Sequence, residues 1–231
     1  MKRGTVLGCL VLVFTHCFAQ KTTGKMHKLP IAIISAPRAE NMPMVLMITG
    51  DGGWGRIGRK LSKQFKSEKV PMIALSSWHY FMRKKTPDMT TKAVESILDE
   101  YMRQWHKDSF ILMGYSFGAD VVPFVVNRLP DSLLKHCAGV ALFSPGTSTD
   151  FKIRILQLLG SRHQWRYNVV NEIQTMKMVK TLFFFGHKEN DFPYEIISRA
   201  DWQLVYLEGG HHYEKEKADI AKIILKGLDI E

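Results

Sequence analysis

Cysteine is nearly absent from this chain: three in 231 residues, two of which, Cys9 and Cys17, fall within the first nineteen. With those two set aside, Cys137 has no second thiol to bridge to, so the chain is not a disulfide-stapled scaffold. Long hydrophobic runs are missing as well. The only extended one, Val6–Phe14, is nine residues broken by Gly8, well short of the roughly 20 needed to cross a bilayer. That excludes a polytopic membrane protein. Acidic residues are in deficit, 22 against 32 Lys and Arg for a formal +10, and none precedes Glu40. Internal repeats, low-complexity tracts and linker-like composition are also lacking, which excludes solenoids and collagen-like chains. What remains, 45% apolar and 23% charged, is the make-up of an ordinary globular protein.

The opening segment carries an address. Met1-Lys2-Arg3 is a short positive start, Val6–Phe14 an apolar core, and Cys17-Phe18-Ala19 sets small residues at −3 and −1 of a cut before Gln20. These features predict a cleaved secretory signal peptide over residues 1–19. Residues 20–30, beginning with the polar and basic QKTTGKMHK, are expected to form a flexible leader, and 31–231 a single domain. Without the peptide the chain keeps a formal +8 and one cysteine, an economy that suits a bacterial periplasm.

Short unbroken apolar runs recur after the leader: Ile31–Ile34, Met44–Ile48, Val70–Leu75, Phe110–Tyr115, Val140–Phe143, Leu182–Phe185 and Leu204–Leu207. Strands buried on both faces have this pattern. Between them lie helical patterns at Ile57–Phe65, Thr90–His106, Ala119–Arg128 and Glu214–Leu228. In Thr90–His106 the residues Ala93, Val94, Ile97, Leu98, Tyr101, Met102 and Trp105 make one apolar stripe. Strands alternating with helices predict an α/β fold with a mainly parallel sheet and helices on both faces. Thr147–Met178 is the least regular stretch. Its Phe151, Ile153, Ile155, Leu156, Leu158 and Leu159 fit either a small excursion over the sheet edge or a packed surface helix.

The sharpest motif is Gly114-Tyr115-Ser116-Phe117-Gly118, a G-x-S-x-G directly after a predicted strand and directly before a predicted helix. That context is a nucleophile elbow, a tight turn that exposes the serine Oγ at a helix N-terminus. A serine nucleophile needs a base, and the base an orienting acid. In this arrangement the order along the chain is Ser, then Asp or Glu, then His. The loop after Leu182–Gly186 offers Asp191, just ahead of Phe192-Pro193, as first choice for the acid and Glu189 as second. Gly209-Gly210-His211-His212-Tyr213 follows the last strand, and either His211 or His212 can serve as the base.

The oxyanion hole is expected in the glycine-rich loop Thr49–Gly55, with the N–H of Asp51 or Gly52 pairing with that of Phe117. This loop lacks the Gly-Lys-Ser/Thr of a P-loop and is not G-x-G-x-x-G. No H-E-x-x-H spacing occurs, so no metal is expected, and nothing calls for a cofactor. Histidines 27, 79, 106, 136 and 163 read as surface or packing residues.

Several stretches make the chain resemble the VirJ family of bacterial virulence-associated proteins, which also forms the C-terminal domain of AcvB. They are Gly50-Asp51-Gly52-Gly53-Trp54, Tyr80-Phe81 with Lys85-Thr86-Pro87, and Gly114–Asp120 (GYSFGAD). Pro123-Phe124, Asn127-Arg128-Leu129-Pro130 and Gly209–Tyr213 complete the set, which covers about residues 43–228. The resemblance implies an α/β-hydrolase fold with at most a small cap insertion, export to the periplasm, and a triad on Ser116, Asp191 and one of the two histidines. It also implies hydrolysis of aminoacylated phospholipids such as lysyl-phosphatidylglycerol and, in agrobacterial members, a link to type IV secretion. Trp54, Tyr80, Tyr115 and Asp120 are then candidate substrate contacts, with Ser144–Asp150 a further one. Asp120 either complements the helix dipole or pairs with a substrate amine.

Arg83-Lys84-Lys85 follows the aromatic cluster Trp78–Phe81, and Lys60, Lys63, Lys66 and Lys69 crowd one helix. An anionic phospholipid surface would attract such residues. Nucleic acid is the other anionic partner, but no nucleic-acid-binding motif is present and export argues against it. The reading from a different class is a non-catalytic periplasmic adaptor that docks a secretion or envelope protein. A generic esterase or thioesterase is the third.

Overall fold

The computed structural model describes residues 29–36, 41–153 and 165–230. The predicted signal peptide, all but the last two leader residues, and Ile155, Leu156, Leu158 and Leu159 of the irregular stretch lie outside the described residues.

Seven strands form one sheet: β1 (Ile31–Ile34), β2 (Met44–Ile48), β3 (Met72–Leu75), β4 (Phe110–Tyr115), β5 (Cys137–Phe143), β8 (Thr181–Gly186) and β9 (Trp202–Leu207). Their order is β1-β3-β2-β4-β5-β8-β9. All neighbours pair in parallel except β1, which runs antiparallel to β3 at the edge. The apolar runs predict these strands because both sheet faces are covered. On one face Leu46, Ile48, Leu112, Leu142 and Phe183 pack with α3 (Pro87–Trp105) and α4 (Phe117–Arg128); the short α2 (Ser77–Tyr80) precedes α3 in the chain and α5 (Asp131–Leu134) follows α4. On the other, Val45, Met47, Met113, Phe143 and Phe184 pack with α1 (Arg56–Ser67) and α7 (Ile220–Gly227). Each fully buried Phe on β8 contributes roughly 1.5–3 kcal/mol by leaving water.

The topology places the site. From β2 the chain goes to β3 on one side, and β4 then returns to the other side of β2. Ligands of open α/β sheets bind at such a reversal, outside the carboxyl ends of the strands. The register Ile48↔Gly114 sets the ends of β2 and β4 level, so the loop after β2 and the turn after β4 emerge side by side.

Helix boundaries follow from caps. α3 starts earlier than the apolar stripe predicts because Thr86 accepts the Met89 N–H at 3.1 Å and Pro87 occupies the first turn. α7 is shorter than predicted. Residues 214–219 do not join it, because the Glu216 carboxylate accepts the N–H groups of Glu208 (2.8 Å) and Ala218 (2.6 Å) and so holds a turn. Asp219 then caps the helix through the Lys222 N–H.

Within the irregular stretch, β6 (Ser148–Thr149) and β7 (Tyr167–Asn168) pair as a short antiparallel ribbon, followed by α6 (Val169–Gln174). Phe151 there is buried, packed edge-on against Phe81, Phe124 and Tyr167.

Candidate active site

The turn after β4 is built by two close approaches. A Cβ on Gly114 would lie 2.4 Å from the Gly118 oxygen, and one on Gly118 only 2.1 Å from the Ile48 oxygen. Only glycine fits at either position, and their absence of side chains lets α4 start tight against the end of β2. Ser116 between them is held at φ 51°, ψ −118°, a conformation costing on the order of 1–3 kcal/mol for a non-glycine residue. This is the elbow that the motif predicts.

The Ser116 Oγ lies 2.9 Å from Nε2 of His211, and Nδ1 of the same ring lies 3.1 Å from Oε2 of Glu189. The other carboxylate oxygen, Oε1, accepts the Gly186 N–H at 2.6 Å and the Ser144 hydroxyl at 2.7 Å. Because Oε1 faces two donors and Oε2 faces Nδ1, an ionised Glu189 makes Nδ1 the protonated nitrogen. Nε2 is then free to accept the serine proton. Burial by itself would raise the Glu189 pKa, but the hydrogen bonds from His211, Gly186 and Ser144 outweigh it and hold the carboxyl below its ordinary value.

The acid partner therefore differs from the first choice. Glu189, not Asp191, is bonded to the imidazole. The Glu189 N–H donates to the Gly186 oxygen at 2.9 Å, a turn that folds the residue straight back onto the end of β8. From there its longer side chain reaches both Ser144 and His211. Asp191 instead lines a neighbouring cavity of about 480 Å³ with Pro145, Thr147, Phe192 and Tyr194.

Of the two histidines, His211 meets the serine. His212 turns aside: its Nδ1 lies 3.0 Å from the Tyr115 hydroxyl, and its carbonyl accepts from Arg56 at 3.2 Å. The Tyr115 hydroxyl also donates to the His211 carbonyl at 3.1 Å, so it ties the histidine turn to the elbow. Burial, reinforced by the charges of Asp51 and Glu189 and opposed by Arg56, pushes the Tyr115 pKa up to about 12. The phenol keeps its proton.

Ser116 and His211 open on a cavity of about 560 Å³ whose other walls include Gly50–Gly53, Arg56, His212 and Glu214. Both oxyanion candidates of the loop are there. The Gly52 N–H is occupied by the Asp51 carboxylate at 2.8 Å, which leaves the Asp51 N–H as the better placed donor. Phe117 opens α4, and the first N–H groups of a helix have no acceptor within it.

The substrate-contact candidates separate. Tyr115 lines the larger cavity. Trp54 does not face it, since its ring lies over Gly58 of α1, where a Cβ would meet it at 3.1 Å. Tyr80 is buried in the core, its hydroxyl donating to the Met89 carbonyl at 3.1 Å. Asp120, in the first turn of α4, accepts the Gly146 N–H at 2.6 Å. Burial pushes its pKa up to about 8, with the Gly146 hydrogen bond opposing and the Asp51 charge adding. Sequence reasoning places Ser144 only in a stretch of expected substrate contacts, and Tyr213 only in a motif. The signal for a role beside the acid is Ser144's position, just past the carboxyl end of the strand next to the elbow. Among the described residues no three His, Cys, Asp or Glu side chains converge as a metal site would require.

This sheet order, the elbow after its central strand and the histidine turn after its last strand define the α/β-hydrolase fold. Solved structures of that fold superpose over nearly their whole length. MenH from S. aureus matches with a TM-score of 0.62 and 14% identity, over 87% of this chain and 98% of its own. Est1E from Butyrivibrio proteoclasticus, solved with ferulic acid bound, gives 0.59 and 13%, over 87% and 96%. XC6422 from Xanthomonas campestris, described as an a/b serine hydrolase without lid, gives 0.56 and 13%, over 86% and 87%. At such identities the likeness is one of fold. The chain belongs to the VirJ family: the family of the bacterial virulence protein VirJ matches residues 42–231. No curated protein matches the sequence.

Proposed function

We propose that this protein is a periplasmic serine hydrolase that cleaves a carboxylic ester through an acyl-enzyme, with an aminoacyl ester of an anionic phospholipid, such as lysyl-phosphatidylglycerol, as substrate. The observation that carries the chemistry is the line of hydrogen bonds from Ser116 through His211 to Glu189. His211 Nε2 takes the serine proton as Oγ attacks the carbonyl. The N–H groups of Asp51 and Phe117 hold the oxyanion. Collapse expels the alcohol, which takes the proton from His211, and a water activated by the same nitrogen then releases the aminoacyl group. The two cavities that meet at His211 give the acyl and alcohol parts separate room.

Two features support a substrate drawn from a membrane. Met82 and Met89 are 55% and 49% exposed, beside Arg83, Lys84 and Lys85. This segment leaves the carboxyl end of β3, and its Phe81 ring packs 4.9 Å from Phe117. It therefore sits on the same end of the sheet as Ser116. An anionic surface attracts such residues by about 1 kcal/mol for each Lys or Arg near the headgroups. The signal-peptide pattern supports the periplasmic location.

The test is to incubate the purified protein and its Ser116→Ala variant with lysyl-phosphatidylglycerol vesicles and follow free lysine by mass spectrometry. Serine-dependent release is expected. Labelling of Ser116 by a fluorophosphonate without lysine release would overturn the substrate and keep the hydrolase. Neither signal would overturn both and leave the adaptor.

A further inference from the structure

We propose that Ser144 and Tyr213 are positioning residues that clamp the acid of the site: Tyr213 holds the Ser144 hydroxyl, and Ser144 holds Oε1 of Glu189, so that only Oε2 is left to orient His211. The inference rests on reading Ser116, His211 and Glu189 as the working groups, and adds what fixes the third of them.

Hydrogen-bond directions carry the argument. Oε1 of Glu189 accepts two donors, the Gly186 N–H at 2.6 Å and the Ser144 hydroxyl at 2.7 Å. Ser144 has a single hydroxyl hydrogen, and the carboxylate takes it. The short contact between Ser144 Oγ and the Tyr213 hydroxyl must then use the tyrosine hydrogen. That hydrogen is shared with the Phe184 carbonyl, 3.1 Å away. The same carbonyl accepts the Ser144 N–H at 2.8 Å. Both clamp residues thus hang from one peptide oxygen near the end of β8, the strand whose following turn carries Glu189. The relay runs one way, from phenol to hydroxyl to carboxylate.

Two further observations mark this as more than ordinary packing. Ser144 and Tyr213 are 3% and 4% exposed, so water does not replace either hydroxyl. Both are also held at positive φ, 46° and 48°, which L side chains rarely adopt. A glycine would relax either backbone, but it would remove the hydroxyl. Among the described residues, Ser116 at φ 51° shares this backbone condition and ends on the same line of side chains.

The ionisable groups that bear on Glu189 are His211, Tyr213, Tyr115 and Tyr194, together with its loop neighbours Lys188 and Asp191. Burial raises the Tyr213 pKa well above its ordinary value, so the phenol donates throughout the working range. Removing the Ser144 hydroxyl takes one stabilising donor from the Glu189 carboxylate. The acid should then protonate at higher pH and release His211 sooner as pH falls.

The experiment measures the rate at which a fluorophosphonate probe labels Ser116, as a function of pH, in wild type and in Ser144→Gly, Ser144→Ala and Tyr213→Phe. Ser144→Gly keeps the positive φ without strain and Ser144→Ala keeps the strain, so a deficit common to both belongs to the hydroxyl. Expected is a roughly tenfold slower labelling for both Ser144 variants and a smaller loss for Tyr213→Phe. In all three the acid limb should move to higher pH while the melting temperature of Ser144→Gly stays near wild type. Unchanged rates and an unmoved acid limb would overturn the clamp. So would a loss equal at every pH that tracks a fall in melting temperature, since that is a structural effect alone. If the probe fails to label Ser116 in wild type, the site reading falls and the clamp with it.

Discussion

Replacing Glu189 with Gln tests the hydrogen-bond logic of the site more sharply than removing the side chain. The amide has nearly the same shape, but it carries one acceptor oxygen and one donor NH₂. Two N–H or O–H donors, from Gly186 and Ser144, converge on the Oε1 position at 2.6 and 2.7 Å. The amide oxygen must therefore take that place, because an NH₂ there would face two donors. Its NH₂ then points at Nδ1 of His211, where Oε2 stood at 3.1 Å. Nδ1 has to accept, the ring proton moves to Nε2, and Nε2 can no longer take the proton of Ser116 2.9 Å away. Holding the base in the wrong tautomer costs roughly 10⁴-fold in kcat when an equivalent acid is amidated in a serine protease, or about 5.5 kcal/mol of transition-state stabilisation. Glu189→Gln should fall by that order in ester turnover and fluorophosphonate labelling, with its fold unchanged by circular dichroism. Asp191→Asn should stay within roughly threefold of wild type, because Asp191 lines the adjoining cavity rather than meeting the imidazole. If Glu189→Gln keeps most of the activity, or Asp191→Asn is the variant that loses it, the assignment of the acid is refuted.

The two histidines should separate just as clearly. His211→Ala is expected to lose on the order of 10⁴-fold or more in kcat, as loss of a catalytic base does. His212→Ala should retain activity within about an order of magnitude, since its ring meets Tyr115 and not Ser116; equal losses in the same turnover assay would contradict the geometry. Asp120 gives a pH-dependent test. Its carboxyl titrates near its ordinary 3.8 when unfolded but is raised to about 8 in the fold. The folded state thus binds the proton more tightly, and this contribution to stability is full below about pH 4 and is lost as pH rises through about 8. The melting temperature of wild type minus that of Asp120→Asn should fall across that window, and a difference independent of pH would refute the shift.

Much of the fold is legible because parallel strands buried on both faces leave continuous apolar runs, and β1, β2 and β4 have the bounds that those runs predict. The motif Gly114–Gly118 gives the elbow because both glycines that its close approaches demand fall within five residues of chain. The acid is less legible, since it depends on how a loop folds back. Nothing in the order Glu189-Asn190-Asp191 announces that the Glu189 N–H closes a turn on the Gly186 oxygen. Polar residues mislead at the C-terminal helix for a related reason. Glu214 and Glu216 fit a helical pattern, yet the Glu216 carboxylate serves the backbone N–H groups of Glu208 and Ala218. Trp54 and Tyr80 show the limit of reading aromatics near a motif as substrate contacts. Gly58 leaves the slot that Trp54 fills, and the helix turn at Met89 offers Tyr80 a carbonyl.

Where backbone strain sits also says what the fold is for. Among the described residues, seven non-glycine positions have positive φ. His106 sits just past the end of α3, where a left-handed residue ordinarily terminates a helix, and Lys69 and Asp229 follow the ends of α1 and α7. Glycine would do the same backbone work there without strain, and Phe151, the remaining position outside the site, is buried among aromatic rings. At Ser116, Ser144 and Tyr213 the reasoning reverses. Glycine would relax the backbone, but each hydroxyl contacts a partner on one line, from the imidazole of His211 to the Glu189 carboxylate and the Phe184 carbonyl. At these three positions the strain falls where the side chain is required. It is carried by a buried part of the sheet, where Phe143 and Phe184 stack at 4.4 Å and the Tyr213 ring packs at 6.1 Å from Phe143. Burying those rings, at roughly 1.5–3 kcal/mol each, is of the size needed to offset positive φ at on the order of 1–3 kcal/mol per residue. Loosening that aromatic layer should therefore relax the site before it unfolds the sheet.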